Sequence, residues 1–267
     1  MTFQRAYPPA VPASGPAYWL PFRQGKLLTQ HGLIQASSDL PEGIHPLYIG
    51  TLDGIPCLAW ELDDNATIPE SWQPTAVRAL FGTIDEAAYS AVGYAMHLLY
   101  WVRTHRYCPT CAQPLGPLSE QWSRQCPACG YIGYPPVSPA ILVLIHDGDR
   151  VLLTHKPGWN ARYSVIAGFV EPGESLEECV RREVMEEVGV EITDIVYKSS
   201  QPWPYPQQLM VAYTARYVSG DIRLDEAELD DARWFRYDNL PEIPAPLSLS
   251  YHLIADWARE RSEQQQH

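Results

Sequence analysis

Three glutamates close together in one predicted helix are the residues of this sequence best suited to chemistry. Glu183, Glu186 and Glu187 occupy positions i, i+3 and i+4, so their carboxylates project from one helix face. Like charges at this spacing destabilise a helix by roughly 0.2–0.5 kcal/mol per pair unless cations lie among them. Carboxylate oxygens suit Mg²⁺ or Mn²⁺, which complete their shells with water and substrate phosphates. The pattern indicates a divalent-cation site, and the alternative is an ordinary solvated acidic face.

The residues around these glutamates predict where the helix begins and ends. Ser175, followed three residues later by Glu178, is a capping box that starts a helix, and Gly189 is placed to end it. A tight loop with two glycines precedes the helix. The whole stretch, residues 168–190, reads Gly-x5-Glu-x7-Arg-Glu-Val-x-Glu-Glu-x-Gly-Val. Such a pattern is too specific for a chance run of charges.

A second group of ligand-type residues consists of two Cys-x-x-Cys pairs separated by 14 residues. Its members are Cys108, Cys111, Cys126 and Cys129. This spacing is typical of zinc held by four thiolates, which leaves no open coordination position and makes the site structural. The alternatives are a redox-active dithiol or two disulfides. The remaining cysteines, Cys57 and Cys179, are predicted to be buried thiols.

A proline-rich aromatic segment follows, Ser200-Gln-Pro-Trp-Pro-Tyr-Pro-Gln-Gln208. Because each proline fixes φ and removes a donor, the segment is predicted to be stiff and extended, and it could hold Trp203 and Tyr205 ready to stack on a flat ligand. The alternative is a rigid turn packed on the core.

Residues 168–190 match the Nudix box at every defined position, so the chain resembles the Nudix hydrolase family. Residues 200–208 look like the SQPWPFPxS signature of the NADH pyrophosphatase branch, with Tyr205 for Phe and Gln208 for Ser. The zinc knuckles also belong to that branch. The resemblance implies an α+β protein with an N-terminal β-rich module, a four-cysteine zinc ribbon and a C-terminal Nudix α/β/α sandwich. It implies domains at 1–105, 106–134 and 135–267.

The resemblance also implies roles for individual residues. The catalytic residues would be Arg182, Glu183, Glu186 and Glu187, with the base either Glu187 or Glu186. The ligands of Mg²⁺ or Mn²⁺ would be Ala167, Glu183, Glu187 and Glu228, and supporting roles fall to Gly168, Glu174 and Gly189. The substrate contacts would be Tyr134, Phe169, Gln201, Pro202, Trp203, Pro204, Tyr205, Pro206, Gln207, Gln208 and Ser250. For Phe169 and Tyr134, stacking and core packing are equally open.

The implied activity is hydrolysis of the pyrophosphate of NADH or NAD⁺ to nicotinamide mononucleotide and AMP, and removal of NAD caps from RNA 5′ ends. The implied assembly is a homodimer. A Nudix enzyme acting on ADP-ribose or a dinucleoside polyphosphate is the first alternative. A zinc-ribbon binding or regulatory protein with an inactive Nudix fold is the second.

The elements that must position these residues follow from the rest of the pattern. Short apolar runs up to about residue 83 predict a β-rich module, and an uncharged stretch at 87–102 predicts a buried helix too short to span a bilayer. Strands at 140–145 and 150–153, a helix near 175–188 and further strands near 193–197 and 209–217 then alternate. A final helix is predicted near 248–262.

Charge and composition limit the function classes. The 267 residues carry a net charge of −13 and are 46% hydrophobic, which excludes disorder and argues against a broad basic surface for nucleic acid. Bound metal ions can still admit a phosphate-rich substrate. The arginines beside the cysteine pairs, Arg103, Arg106 and Arg124, could touch a polyanion, but a solvated face is favoured. The N-terminus lacks the apolar core of a signal peptide, so we expect a cytoplasmic protein without a membrane segment.

Overall fold

The computed structural model describes residues 1–7, 15–36 and 43–265. The chain divides into two compact units: unit 1 is Met1–Pro136 together with Pro204–Gln207, and unit 2 is Val137–Trp203 together with Gln208–His267.

Unit 1 contains a seven-stranded sheet. Its strands are β1 (Phe3–Arg5), β2 (Ala17–Arg23), β3 (Lys26–Thr29), β4 (Ile34–Ala36), β5 (Leu47–Leu52), β6 (Ile55–Glu61) and β7 (Gln73–Ala76). The order is β1-β5-β6-β2-β3-β7, with β4 also paired to β2. Only the β2–β6 pair is parallel among these described strands. The predicted β-rich module is confirmed.

One long helix, α1 (Glu86–Thr104), covers this sheet after a short 3-10 helix at Val77–Leu80. The side chain of Asp85 caps α1 by accepting a hydrogen bond from the backbone N–H of Ala87 at 2.9 Å. The buried side of α1, with Trp101 fully buried, packs in one core with the leucines of β2 and β3. This apolar packing explains why the predicted 87–102 stretch is a core helix. None of the described helices is long and apolar enough to cross a bilayer.

The two cysteine pairs follow α1 in a segment with little regular structure of its own. It contains only β8 (Arg124–Gln125) and β9 (Ile132–Gly133), which pair with each other. A segment this short cannot bury a large apolar core, so metal ligation is the available source of stability.

Unit 2 is built around a six-stranded mixed sheet. Its strands are β10 (Ser138–Asp147), β11 (Arg150–His155), β12 (Ile166–Phe169), β13 (Glu191–Trp203), β14 (Gln208–Ser219) and β15 (Asp231–Arg236). The order is β13-β14-β10-β11-β15, with β12 also paired to β10. The central β10–β14 pair is parallel. Strands β10 and β11 consist of long apolar runs and are buried. Such runs are expected because both faces of this sheet are covered.

Two helices cover the two faces of this sheet. Helix α2 (Leu176–Val188) buries Val180 and Val184 in one core, and α3 (Leu249–Gln264) buries Leu253 and Ile254 in the other. Successive side chains of β10 point to opposite faces of the sheet, so this strand contributes residues to both cores. The expected α+β class with an α/β/α sandwich is confirmed.

The predicted signals at the ends of α2 are present in the structure. Ser175 and Glu178 form the reciprocal capping box, with distances of 3.3 Å and 2.8 Å. Gly189 ends the helix with φ of 69°, a left-handed conformation that glycine adopts without steric cost. Cys57 and Cys179 are free and buried, as predicted, and burial raises the pKa of each thiol to about 12.

Candidate active site

The backbone of β12 approaches α2 closely at Gly168. A Cβ atom on Gly168 would lie 1.8 Å from Cδ of Glu183, so only glycine allows the Glu183 carboxylate to rest against this strand. The position of Glu183 therefore depends on a residue that precedes the helix. A tight loop from Val170 to Ser175 connects the two elements.

Arg182 organises the carboxylates on one side of α2. Its guanidinium donates two hydrogen bonds to Glu174, at 2.7 and 2.9 Å, and one each to Glu183 at 2.7 Å and Glu186 at 3.0 Å. It also donates to the backbone carbonyl of Phe169 at 2.9 Å. Hydrogen bonds from Arg182 are the main reason that the pKa of Glu174 falls to about 2. Glu174 and Phe169 thus fix the guanidinium, and the guanidinium orients Glu183.

Glu187 lies on the buried side of the same helix. Its side chain is 2% exposed, and burial raises its pKa to about 7 although Lys156 opposes this. The Nζ atom of Lys156 donates to Oε1 of Glu187 at 3.1 Å and to Oε2 of Glu228 at 3.3 Å. Burial opposes the charge of Lys156, but these two carboxylates outweigh it and raise the lysine pKa. Oε2 of Glu187 is buried and has no hydrogen-bond partner among the described residues.

The predicted glutamates are thus held in two cation-bridged pairs. Arg182 joins Glu183 and Glu186, and Lys156 joins Glu187 and Glu228. The oxygens of these glutamates do not form one tight cluster. Among the described residues, the four cysteines are the one group of three or more ligand-type side chains whose ligand atoms all lie within 4.8 Å of one another.

These residues nevertheless fit a divalent cation. The orphaned Oε2 of Glu187 needs a partner, since an unpaired buried oxygen costs about 1–3 kcal/mol. Lys156 already places a positive charge between Glu187 and Glu228. Oxygen donors of this type are those that Mg²⁺ and Mn²⁺ prefer. Glu183, Glu187 and Glu228 could therefore hold such an ion. Ala167, the other predicted ligand position, lies in β12 opposite Leu142 of β10.

The four zinc-type cysteines do converge. The Sγ atoms of Cys108 and Cys129, of Cys111 and Cys126, and of Cys111 and Cys129 are each 3.5 Å apart. Tetrahedral zinc with bonds of about 2.3 Å requires sulfur atoms about 3.8 Å apart. The donor set and its spacing fit a structural zinc ion, and none of the six cysteines forms a disulfide.

The proline-rich segment is a hairpin rather than a uniformly extended stretch. Trp203 of β13 pairs with Gln208 of β14, and Pro204–Gln207 form the turn between them. Pro202 lies opposite Leu209 in the same ladder, and the Tyr205–Pro206 peptide bond is cis.

The predicted substrate residues of this hairpin have packing partners of their own. Gln201 donates to the carbonyl of Leu247 and accepts from the N–H of Leu249, both at 2.9 Å, so it secures the start of α3. Tyr205 belongs to unit 1, where its hydroxyl lies 3.0 Å from that of Tyr89 and the guanidinium of Arg78 lies 4.3 Å from its ring centre. The hydroxyl that distinguishes Tyr205 from the usual Phe therefore meets another side chain.

The other predicted contacts are divided between the units. Tyr134 of unit 1 and Phe169 of unit 2 are both exposed, at 57% and 52%, so core packing is ruled out for both rings. Ser250 is buried in the first turn of α3, one residue beyond the Gln201 contact.

Sequence reasoning missed Lys156. It follows β11, and it contacts the predicted site only because that strand lies next to β10 and β15 in the sheet. A lysine after a buried strand is too common a feature to have indicated this role.

Comparisons with known proteins agree with this geometry. Residues 136–256 match the family described as NUDIX domain, residues 103–134 the NADH pyrophosphatase zinc ribbon domain, and residues 16–101 the NADH pyrophosphatase-like rudimentary NUDIX domain.

Two curated relatives carry the name NAD-capped RNA hydrolase NudC. The protein from Stutzerimonas stutzeri is 42% identical over 208 residues, covering 77% of this chain and 75% of the relative. The protein from Pseudomonas aeruginosa is 39% identical over 249 residues, covering 92% and 83%.

A solved NUDIX hydrolase from Nitrosomonas europaea shares the fold. It has a TM-score of 0.51 and 20% identity, and the match covers 59% of this chain and 93% of that one. The box geometry, the zinc-type cysteines and these relatives all lead to the same family. This chain belongs to the Nudix hydrolase family, in the branch that carries the NADH pyrophosphatase zinc ribbon.

Proposed function

We propose that this chain is a metal-dependent hydrolase that cleaves the pyrophosphate bond of NADH or NAD⁺ to nicotinamide mononucleotide and AMP. We propose further that it removes NAD caps from RNA, which leaves 5′-monophosphate RNA, because the same bond is present there. The observation that carries the proposal is the Arg182-ordered carboxylate set beside the orphaned oxygen of Glu187. The relatives named NAD-capped RNA hydrolase support the choice of substrate.

Each residue of the site has a separate task in this proposal. Glu183, Glu187, Glu228 and Ala167 would hold a divalent cation, Mg²⁺ or Mn²⁺, which would neutralise phosphate oxygens and lower the pKa of the attacking water. Arg182, itself fixed by two hydrogen bonds to Glu174, holds Glu183 in place through one hydrogen bond. In the hydrolysis one P–O bond of the pyrophosphate breaks as water adds to phosphorus.

For the proton that leaves the water, Glu187 is a better acceptor than Glu186. Its Oε2 has no partner among the described residues, so this carboxylate has an oxygen left for the proton when the cation is held through its other oxygen. Glu186 is bound to Arg182 and has an exposed side chain. Both glutamates remain in the catalytic set that we propose.

The exposed rings of Phe169 and Tyr134 suit stacking on nicotinamide or adenine. Residues 201–208 are proposed to shape the substrate site. Ser250, also proposed as a contact, follows Leu249, whose backbone N–H donates to Gln201. Three further residues support the box. Gly168 allows the close approach of Glu183, Glu174 fixes Arg182, and Gly189 ends α2. We retain the division into domains 1–105, 106–134 and 135–267 as a proposal.

The deciding experiment is mass-resolved identification of products from NADH, NAD⁺, ADP-ribose and a short NAD-capped RNA at matched Mg²⁺ and Mn²⁺. Nicotinamide mononucleotide and AMP are expected from NADH, and nicotinamide mononucleotide from the capped RNA. If ADP-ribose is consumed and NADH is not, the substrate assignment is wrong. If none of the four is cleaved with either metal, the alternative of an inactive binding protein takes its place.

We also propose a cytoplasmic homodimer. Val196 and Tyr197 are exposed on β13, the edge strand of its sheet, which is a surface suited to pairing with a second copy. None of the six cysteines forms a disulfide, which suits a reducing compartment. Sedimentation at two protein concentrations and fractionation of the producing cells test these two points.

A further inference from the structure

A cavity of about 700 Å³ in unit 1 is lined by three arginines. Arg103 comes from the last turn of α1, Arg106 follows two residues after that helix, and Arg124 comes from β8. From sequence alone these side chains were expected to form a solvated face. Here they converge on one concave site.

Two of the three arginines have no carboxylate partner within residues 1–7, 15–36 and 43–265. Arg103 forms an ion pair with Glu61. Arg106 and Arg124 form no ion pair with any described residue. Burial and the charge of Arg106 lower the pKa of Arg124, so these two cations repel each other. Asp63, the remaining acidic side chain of the lining, forms no ion pair in the described part of the chain. Two unpaired arginines against one unpaired aspartate leave a net charge of +1 among the described residues of the lining, which favours an anion.

Two buried donors of the cavity lining also have no acceptor in the part of the chain that the structure describes. Arg124 donates from Nη1 to the carbonyl of His105 at 3.0 Å, but its Nε is buried without a partner among the described residues. The indole Nε1 of Trp60, a residue that is 5% exposed, is likewise buried without a hydrogen-bond partner among the described residues. Buried donors are nearly always hydrogen-bonded in native proteins. Both atoms are inaccessible to water, so they lie in the cavity wall beneath the surface that a ligand would touch.

The volume of the cavity and its apolar lining limit further which class of ligand it could bind. Sites for small organic ligands are typically about 300–1,000 Å³, which admits a mononucleotide. A guanidinium presents its donors as a planar fork that fits phosphate oxygens. Leu47, Leu62 and Leu99 supply an apolar side suited to a base or sugar. We propose that this cavity binds the phosphate group of a nucleotide, as a second ligand site in addition to the Nudix box.

The phosphate could belong to a free mononucleotide or to an RNA strand, and both offer the same oxygens to Arg106 and Arg124. Calorimetric titration of the full zinc-loaded chain, without added Mg²⁺ or Mn²⁺, distinguishes them. The probes are inorganic phosphate, AMP, and one short oligoribonucleotide with either a 5′-phosphate or a 5′-hydroxyl. The variants are Arg106→Gln, which removes an exposed charge, and Arg124→Lys, which keeps the charge but loses the fork.

Arg259→Gln is the matched control, because Arg259 is an exposed arginine of α3 whose one ion pair among the described residues is with Asp256. We expect Arg106→Gln and Arg124→Lys to weaken AMP binding roughly tenfold, while the control changes it less than about twofold. If AMP binds more tightly than either oligonucleotide, the cavity is a mononucleotide site. If the two oligonucleotides bind with equal affinity and more tightly than AMP, the cavity binds the phosphates within the RNA strand. Unchanged affinity in both cavity variants, or no binding of any probe, overturns the proposal. NADH turnover is expected to be unaffected in Arg106→Gln, so this result is independent of the proposed catalytic function.

Discussion

The ammonium group of Lys156 lies 3.1 Å from Oε1 of the buried Glu187 and 3.3 Å from Oε2 of Glu228. A side chain that was not among the predicted site residues thus supplies the positive charge where two proposed metal ligands meet. Its charge compensates the buried carboxylate, whose second oxygen has no partner among the described residues. A divalent ion at this position would compete with Lys156.

Replacement of Lys156 by Met is therefore expected to strengthen Mn²⁺ binding. Removing one competing unit charge near a partly buried carboxylate corresponds to roughly tenfold in affinity. Titration of Mn²⁺ followed by electron paramagnetic resonance measures the effect. Lys198→Met, at an exposed lysine of β13, is the control. Weaker Mn²⁺ binding in Lys156→Met alone would show that the lysine assists the ion rather than competing with it.

Replacement of Glu187 by Gln is expected to abolish turnover while the fold is retained. The amide keeps the shape but loses both the negative charge and the ability to accept a proton, and such losses typically lower kcat by about 10²–10⁴-fold. Steady-state kinetics with NADH and thermal unfolding by circular dichroism measure both properties. Glu186→Gln, at the exposed partner of Arg182, is expected to have the smaller effect. Wild-type kcat in Glu187→Gln would falsify the proposed role.

Removal of the Tyr205 hydroxyl is expected to affect stability rather than substrate choice. Its hydroxyl lies 3.0 Å from that of Tyr89, so Tyr205→Phe removes a hydrogen bond worth about 0.5–1.5 kcal/mol. Urea unfolding of Tyr205→Phe, Tyr89→Phe and the double variant measures this energy as a cycle. The double variant should lose less than the sum of the two single variants. A changed KM for NADH with unchanged stability would instead place the hydroxyl at the substrate.

Replacement of Cys126 by Ser is expected to release zinc and unfold the ribbon. Cys126 is 1% exposed, and its Sγ lies 3.5 Å from that of Cys111. Elemental analysis should find about one zinc per chain in the wild type and little in the variant, with a lower melting temperature. Cys57→Ala, at a buried cysteine outside the pairs, should retain zinc. Full zinc content in Cys126→Ser contradicts the four-cysteine site.

The pH dependence of stability should contain a contribution from His97. Burial lowers its pKa below the usual 6.5, against the opposing hydrogen bond between its Nε2 and the carbonyl of Pro136 at 2.8 Å. The unfolded chain then binds this proton more tightly than the folded chain. Stability is full above the unfolded pKa and is lost as the pH falls from about 6.5 through the folded value.

Urea unfolding at about pH 7.5 and about pH 5.5 tests this sign. The wild type should lose more stability on acidification than His97→Gln, which keeps a donor for the Pro136 carbonyl but does not titrate. The other histidines are common to both proteins and cancel in the difference. An equal loss in both proteins would show that His97 does not contribute.

The local features of the site could be predicted from sequence. The capping box of Ser175 and Glu178, the left-handed Gly189 and the common face of Glu183 and Glu187 all depend on residues within one or two turns of helix. The convergence of the cysteine pairs was also predictable, since each pair is a local turn. Sequence by itself therefore determined the Nudix box, the zinc-type ligands, the three described α-helices and, in unit 2, four strands, whereas the short strands β12 and β15 were not predicted.

Tertiary structure alone decided which distant side chains meet at these local elements. Lys156 reaches Glu187 across 31 positions, and Tyr205 reaches Tyr89 across 116. Such contacts depend on strand register and on where a hairpin turn packs, and neither is set by local periodicity. For the same reason the grouping of Arg106 with Arg124 around a cavity was invisible in the sequence, where both had the pattern of an exposed charged face.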